Sequence, residues 1–133
     1  MSTSSIQAYD AFGRGDVDTL VSLLAEGVEW NTPGPKDLPS AGQRRGRDQV
    51  RQFFGVLNEH YEFLGFQPEQ FIGQGETVVV MGVDTVRVKA TGNSVIESWA
   101  RVFTVRNGAI VKFVEYLDTA ALVAELHSAQ AKA

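Results

Sequence analysis

Charge falls among apolar neighbours at three places in this chain. Strand alternation along residues 77–90 puts Asp84 on one face with Val78, Val80, Gly82, Val86 and Val88. A carboxylate on such a face must be paired, hydrogen-bonded or protonated, because an isolated charge is costly to desolvate. A bulge at Gly82 would instead turn Asp84 outward, and the sequence leaves both readings open. The next segment repeats the pattern, with Glu97, Trp99, Arg101, Phe103 and Val105 on one face. Two charges between large rings suit a cavity wall, where the rings exclude water and the charges pair. They equally suit a dimer interface, in which Arg and Trp are enriched. The third position, Asp118, follows Glu115-Tyr116-Leu117 and precedes Thr119-Ala120-Ala121-Leu122. It reads either as a chemical group or as the cap of a closing helix.

Aromatic residues supply candidate walls. Trp30 stands just before a Pro-rich stretch and either lines a cavity or fills the core. Tyr9, Tyr61 and Tyr116 could donate phenolic hydrogen bonds into a pocket. His60 sits near a helix C-terminus, where terminal carbonyls attract it, and is not a candidate base.

These side chains must be positioned by a helical first half and a stranded second half. Ile6, Tyr9 and Phe12 share a helical spacing that Gly13 and Gly15 break. Asp16 caps a helix carrying Val17, Leu20, Val21 and Leu24, which Gly27 ends. A short strand at 28–31 follows. Residues 32–46, with Pro33, Gly34, Pro35, Pro39 and Gly42, are expected to be an irregular surface loop that covers a site. A third helix runs from Arg47-Asp48 to near His60. Strands are expected at 63–72, 77–90, 94–106 and 109–117, the first an edge or bent strand because of Pro68. Asn107-Gly108 is a tight hairpin signal. A helix at 119–128 closes the chain. Helices followed by a strand meander mean an α+β fold in a single domain over 1–133.

Composition removes several kinds of chemistry. The 133 residues include no cysteine, which excludes disulfides, thiolate metal sites and cysteine nucleophiles. Two histidines make an all-protein zinc site a poor expectation, and no cofactor is expected. The formal charge of −4 argues against nucleic acid as a partner. The cluster Arg44, Arg45, Arg47 and Arg51 reads as a solvated face or as local ion pairs. No phosphate loop, nucleophile elbow or metal-ligand motif is present. The longest apolar run is too short to span a bilayer, and the opening Met-Ser-Thr-Ser-Ser lacks the features of a secretory signal. A soluble, cytoplasmic protein is expected.

The order of elements carries a resemblance. So do Gly15-Asp16, Gly46-Arg47-Asp48, the run from Trp99 to Gly108 and the run from Phe113 to Leu122. Together they resemble the SnoaL-like group of the nuclear-transport-factor-two-like superfamily, which includes polyketide cyclases, steroid delta-isomerases and limonene-epoxide hydrolases. The resemblance implies a cone-shaped roll. A curved, mostly antiparallel sheet wraps three helices around a deep apolar pocket, and two copies join through the sheet as a homodimer. Asp84 is similar to the epoxide hydrolase aspartate that works beside an arginine, although that arginine's place is taken by Gly82 here. Asp118 is similar to the second catalytic aspartate of that enzyme and to the acid–base aspartate of the cyclases.

Two functions follow as expectations. In the first, a cofactor-free enzyme does acid–base chemistry on a small apolar carbonyl or epoxide compound. Asp118 is the general acid or base, Asp84 its partner, and Arg101 holds a carboxylate ionised or stabilises an oxyanion. Trp30, Trp99, Phe103, Tyr9 and Tyr116 contact the substrate. In the second, the same pocket belongs to a non-catalytic ligand-binding or dimerising module, and Arg101 is part of a structural ion pair.

Overall fold

The computed structural model describes residues 3–132. Helices α1 (Thr3–Gly13) and α2 (Val17–Ser22) open the chain, followed by strands β1 (Leu24–Thr32) and β2 (Gly42–Arg45) and helix α3 (Arg47–His60). A meander of β3 (Tyr61–Gln74), β4 (Thr77–Val88), β5 (Ser94–Arg106) and β6 (Ala109–Leu117) leads into α4 (Ala120–Lys132). The expected α+β class holds, with the four expected helices among the described residues.

All six strands form one open, curved sheet in the order β2-β1-β6-β5-β4-β3. Among the described residues β1 and β6 run parallel and the other pairs are antiparallel. The meander follows from its turns. Asn107 and Gly108 both take positive φ, 52° and 79°, as the twist of a two-residue hairpin requires. Pro68 sits in β3, an edge strand, and the register slips beside it between Pro68 and Gln70. Proline is tolerated there because an edge strand has ladder donors to spare.

Two boundaries correct the sequence reading. The second helix ends at Ser22 and not at Gly27, since Leu24 already pairs with Ile110 of β6 and Val28 is fully buried. Asp16 does cap that helix, its carboxylate accepting from Thr19 N–H at 3.1 Å and from the Thr19 hydroxyl at 2.6 Å. The stretch at 32–46 is not wholly irregular: β2 pairs with β1 from Glu29↔Arg45 to Thr32↔Gly42. The prolines end at Pro39, and the following residues are free to extend. Arg44 then ties the remaining loop down, donating to the Ser40 and Pro39 carbonyls while its guanidinium lies 4.7 Å from the Phe53 ring centre.

The arginine cluster resolves into local contacts. Arg45 pairs with Glu29 at 2.8 Å, Arg51 with Asp18, and Arg47 donates to the Leu24 carbonyl. Among the described residues no helix is long and apolar enough to cross a membrane.

The inner face of the sheet is packed by α1, α2 and α3. Val50, Phe53 and Phe54 of α3 join Ala8, Tyr9 and Ala11 of α1, Trp30 of β1 and Phe113 of β6 in the main core. A second cluster at the other end gathers Leu38, Tyr61, Val86, Val88, Val95 and Leu122. Leu38, from the Pro-rich loop, and Leu122, from α4, thus cap that end of the sheet.

Candidate active site

The β4–β5 register runs unbroken from Thr77↔Thr104 to Arg87↔Ser94, so no bulge at Gly82 turns the strand. Asp84 therefore points inward and is 0% exposed. Gly82 has a different role. A Cβ there would meet the Gln67 carbonyl and come within 2.5 Å of the Trp99 ring. The bare glycine lets the indole lie against β4. A long side chain at 82 is incompatible with this packing, and the guanidinium beside Asp84 comes from Arg101 on the next strand.

Arg101 is the hub. Its Nε donates to Glu115 at 2.8 Å and its Nη2 to Asp84 at 3.3 Å, while its guanidinium carbon stands 3.8 Å from the Trp99 ring centre. The Arg101 and Glu115 side chains are each 13% exposed. The Tyr9 ring lies parallel to Trp99, 5.8 Å away and tilted by 7°, with Phe66 stacked 5.6 Å from it. Such ring pairs each contribute about 0.5–1.5 kcal/mol beyond area burial. They hold the Tyr9 hydroxyl near the guanidinium.

The fourth charged group is Glu97. It is 8% exposed and sits directly across from Asp84 in the sheet. Arg101 forms its two ion pairs with Asp84 and Glu115, and none with Glu97.

Electrostatics follow from this layout. Burial pushes the Glu97 carboxyl up to about 7, and the charges of Glu115 and Asp84 push the same way against Arg101. Burial also raises Asp84, with the Arg101 charge and the nearby Trp99 N–H pulling it back; the indole makes no hydrogen bond of normal geometry to it. Burial works against the Arg101 charge, but the carboxylates of Glu115 and Asp84 offset it, and the guanidinium stays protonated. Burial holds the Tyr9 phenol neutral, well above its ordinary range.

These groups line a cavity of about 80 Å³ between the sheet and helices α1 and α3. Asp84, Glu97, Arg101 and Glu115 form one wall. Trp30, Phe53, Phe54, Phe103 and Phe113 form the aromatic remainder, with Ser40, Tyr61 and Leu122 toward the loop and α4. Five buried polar atoms lack a hydrogen-bond partner among the described residues: Tyr9 Oη, Trp30 Nε1, Tyr61 Oη, Asp84 Oδ1 and Trp99 Nε1. Four belong to lining residues and the fifth to Trp99, just behind the wall. Buried polar groups are normally satisfied, so orphans gathered at one cavity call for a polar occupant.

Of the residues singled out from the sequence, Asp84, Arg101, Trp30, Phe103 and Tyr9 meet at this cavity. Trp99 supports the guanidinium from behind. Asp118 and Tyr116 do not belong to the cavity. Phe113, Glu115 and Leu117 point inward along β6, so Tyr116 and Asp118, one residue out of step, point outward. Tyr116 is 60% exposed. Asp118 is exposed and its carboxylate accepts from Ala120 N–H at 3.0 Å, the capping role. The acidic partners that reasoning from single residues passed over are Glu115 and, as a titrating group, Glu97. Parity was the available signal: Glu115 stands between Phe113 and Leu117. No group of three His, Asp or Glu side chains among the described residues is placed to hold a metal ion.

Comparison with known proteins agrees with this architecture. An NTF2-like protein from Burkholderia xenovorans LB400 superposes with a TM-score of 0.82 at 35% identity, covering 91% of each chain. A proposed isomerase from Rhodopseudomonas palustris gives 0.78 at 19% identity over 93% of each chain. A proposed SnoaL-like polyketide cyclase from Mesorhizobium loti gives 0.71 at 21% identity, over 87% of this chain and 99% of that one. The last two likenesses concern the fold alone. A search of curated proteins finds no match. Residues 6–113 match the SnoaL-like domain family, and the chain belongs to that family.

Proposed function

We propose that the cavity catalyses proton transfer at a carbon next to a carbonyl, in a small and largely apolar ring compound, without a cofactor. The observation that carries this reading is Glu97: a carboxyl 8% exposed in an aromatic cavity, directly across from Asp84 and without an ion-pair partner among the described residues, whose burial pushes it up to about 7. A base poised near the operating pH is what general base catalysis requires. The Glu97 carboxylate takes the α-proton, and the C–H electron pair shifts onto the carbonyl oxygen to give an enolate. Arg101 lies across the same wall, and its Nη1 is outside both ion pairs. That guanidinium charge stabilises the enolate oxygen. Glu97 then returns its proton to a conjugated carbon, which is isomerisation, or the enolate carbon attacks a second carbonyl of the substrate and Glu97 protonates the resulting alkoxide, which is cyclisation. Asp84 and Glu115 keep Arg101 oriented and charged.

Exchange of the α-protons of cyclopentanone in D2O, followed by NMR, tests this directly. The wild type should accelerate exchange, Glu97→Gln should lose the acceleration and Asp118→Asn should keep it. No acceleration by the wild type, or full acceleration in Glu97→Gln, removes the reading.

The second reading, a non-catalytic binding module, is favoured by one observation: both ion pairs of Arg101 are already made within the protein. In either case the protein is proposed to be cytoplasmic and to act as a homodimer through the outer face of the sheet. Ile96 and Tyr116 are exposed on that face, 73% and 60%.

A further inference from the structure

The cavity wall holds three carboxylates, Asp84, Glu97 and Glu115, against one guanidinium. Arg101 is claimed by Asp84 and Glu115, so the surplus falls on Glu97. Glu97 faces Asp84 from β4, Tyr61 from β3, Glu115 from β6, and Arg101 on its own strand. Like charges directly opposite in a sheet repel, so Glu97 is relieved either by a proton or by a cation brought from outside.

A second, independent observation places a ligand here. Trp30 is more than nine-tenths buried, lines the cavity and holds an unpartnered N–H, and the equally buried Tyr9 and Tyr61 hydroxyls make no hydrogen bond of normal geometry, with Arg101 beside the first and Ser40 beside the second. The remaining walls are largely aromatic faces, which attract cations.

We propose that the cavity selects its ligand by charge: the substrate is an uncharged carbonyl compound, carboxylate- and phosphate-bearing compounds are refused, and ammonium analogues bind more tightly because they pair with Glu97. This rests on the proton-transfer reading for what the substrate does. The charge selection itself rests on the lining alone. A second anion in the cavity would meet an unscreened carboxylate surplus in a site too dry to shield it. An ammonium supplies the missing counter-charge and donates to Glu97. Nucleotide thioesters and phosphorylated compounds fall outside the substrate class for the same reason.

The test uses three probes of one shape: cyclopentylamine, cyclopentanone and cyclopentanecarboxylate, titrated calorimetrically into the full-length protein at pH 5.5 and 8.5. The amine stays protonated across this range. Its affinity should rise about tenfold or more from the lower pH to the higher, as Glu97 loses its own proton. Cyclopentanone should bind more weakly at pH 8.5 than the amine, and the carboxylate should not bind measurably at either pH. In Glu97→Gln, checked for native fold by circular dichroism, the pH dependence of amine binding should vanish and its advantage over the ketone should collapse. Four results overturn the proposal: carboxylate affinity within about threefold of the amine's, amine affinity independent of pH in the wild type, an amine preference that survives in Glu97→Gln, or no amine binding at millimolar concentration. The two readings fail separately. Amine binding without cyclopentanone exchange discards the proton transfer and keeps the selectivity; exchange with equal binding of amine and carboxylate does the reverse.

Discussion

Replacing Glu97 by Gln should stabilise the protein at alkaline pH and leave it nearly unchanged at acid pH. The carboxyl is displaced from an ordinary 4.5 to about 7 by burial and by its acidic neighbours. Its folded-state pKa is raised, so between those values the folded protein binds more protons than the unfolded chain. Stability then falls as pH rises through that window, and the full cost is present above about pH 7. Each pH interval is worth about 1.4 kcal/mol, so the ionised carboxylate costs on the order of 3 kcal/mol at pH 8. Gln has the shape of the protonated acid and cannot ionise. Urea unfolding of both proteins at pH 5 and pH 8 measures the difference. Glu97→Gln should be more stable than wild type by about 2–3 kcal/mol at pH 8 and by less than about 1 kcal/mol at pH 5. Asp84 is raised by burial too and titrates in the same direction, so comparing the two proteins at each pH removes most of its contribution. A gap that is the same at both pH values would refute the reasoning, because a group that stays ionised, or stays protonated, contributes no pH dependence.

Other substitutions probe the remaining parts. Arg101→Met leaves Asp84 and Glu115 buried without their cation, and should lose about 3–5 kcal/mol in urea melts at pH 8, with a smaller loss at pH 5 as the carboxyls protonate. Gly82→Ala places a methyl group against the Gln67 carbonyl and the Trp99 ring, and should cost about 1–3 kcal/mol; a silent substitution would mean the indole can move aside. Asp118→Ala removes one exposed cap and should cost about 0.5–1 kcal/mol in thermal unfolding, with cyclopentanone exchange unaffected. The double substitution Ile96→Lys with Tyr116→Lys should halve the mass seen by light scattering, and a wild type already monomeric would dispose of the homodimer.

Much of the fold was legible because the meander announces itself. The bounds of β5 and β6 follow from alternation and from Asn107-Gly108, whose turn starts the pairing at Arg106↔Ala109, although a register shift between Thr104 and Val105 follows. β2 was hidden among Pro39, Gly42 and Gly46, residues that ordinarily break strands, and it exists because β1 offers it an edge. The site was half legible. Asp84 and Arg101 stood out as charges on apolar faces. Of the two readings of Asp118 the structure supports the cap, because the two-residue period of β6 turns it outward. The titration of Glu97 was not legible, since it depends on its distance from carboxyls on two other strands, and on burial by helices from the other half of the chain.

The division of labour between the two halves of the chain has a consequence for assembly. Asp84, Glu97, Arg101 and Glu115 all belong to the β4–β6 meander, built from hairpins whose contacts are short in sequence. Tyr9, Trp30, Phe53 and Phe54, which shut them from water, come from α1, β1 and α3, and β1 reaches β6 across most of the chain. Local hairpins close quickly, whereas distant pairings carry a larger loop-closure penalty and come late. The charged wall therefore forms while still wet, and its dehydration coincides with the docking of β1 on β6. Folding should accordingly speed up as pH falls from 8 to 5, as protons on Glu97 lighten that last step.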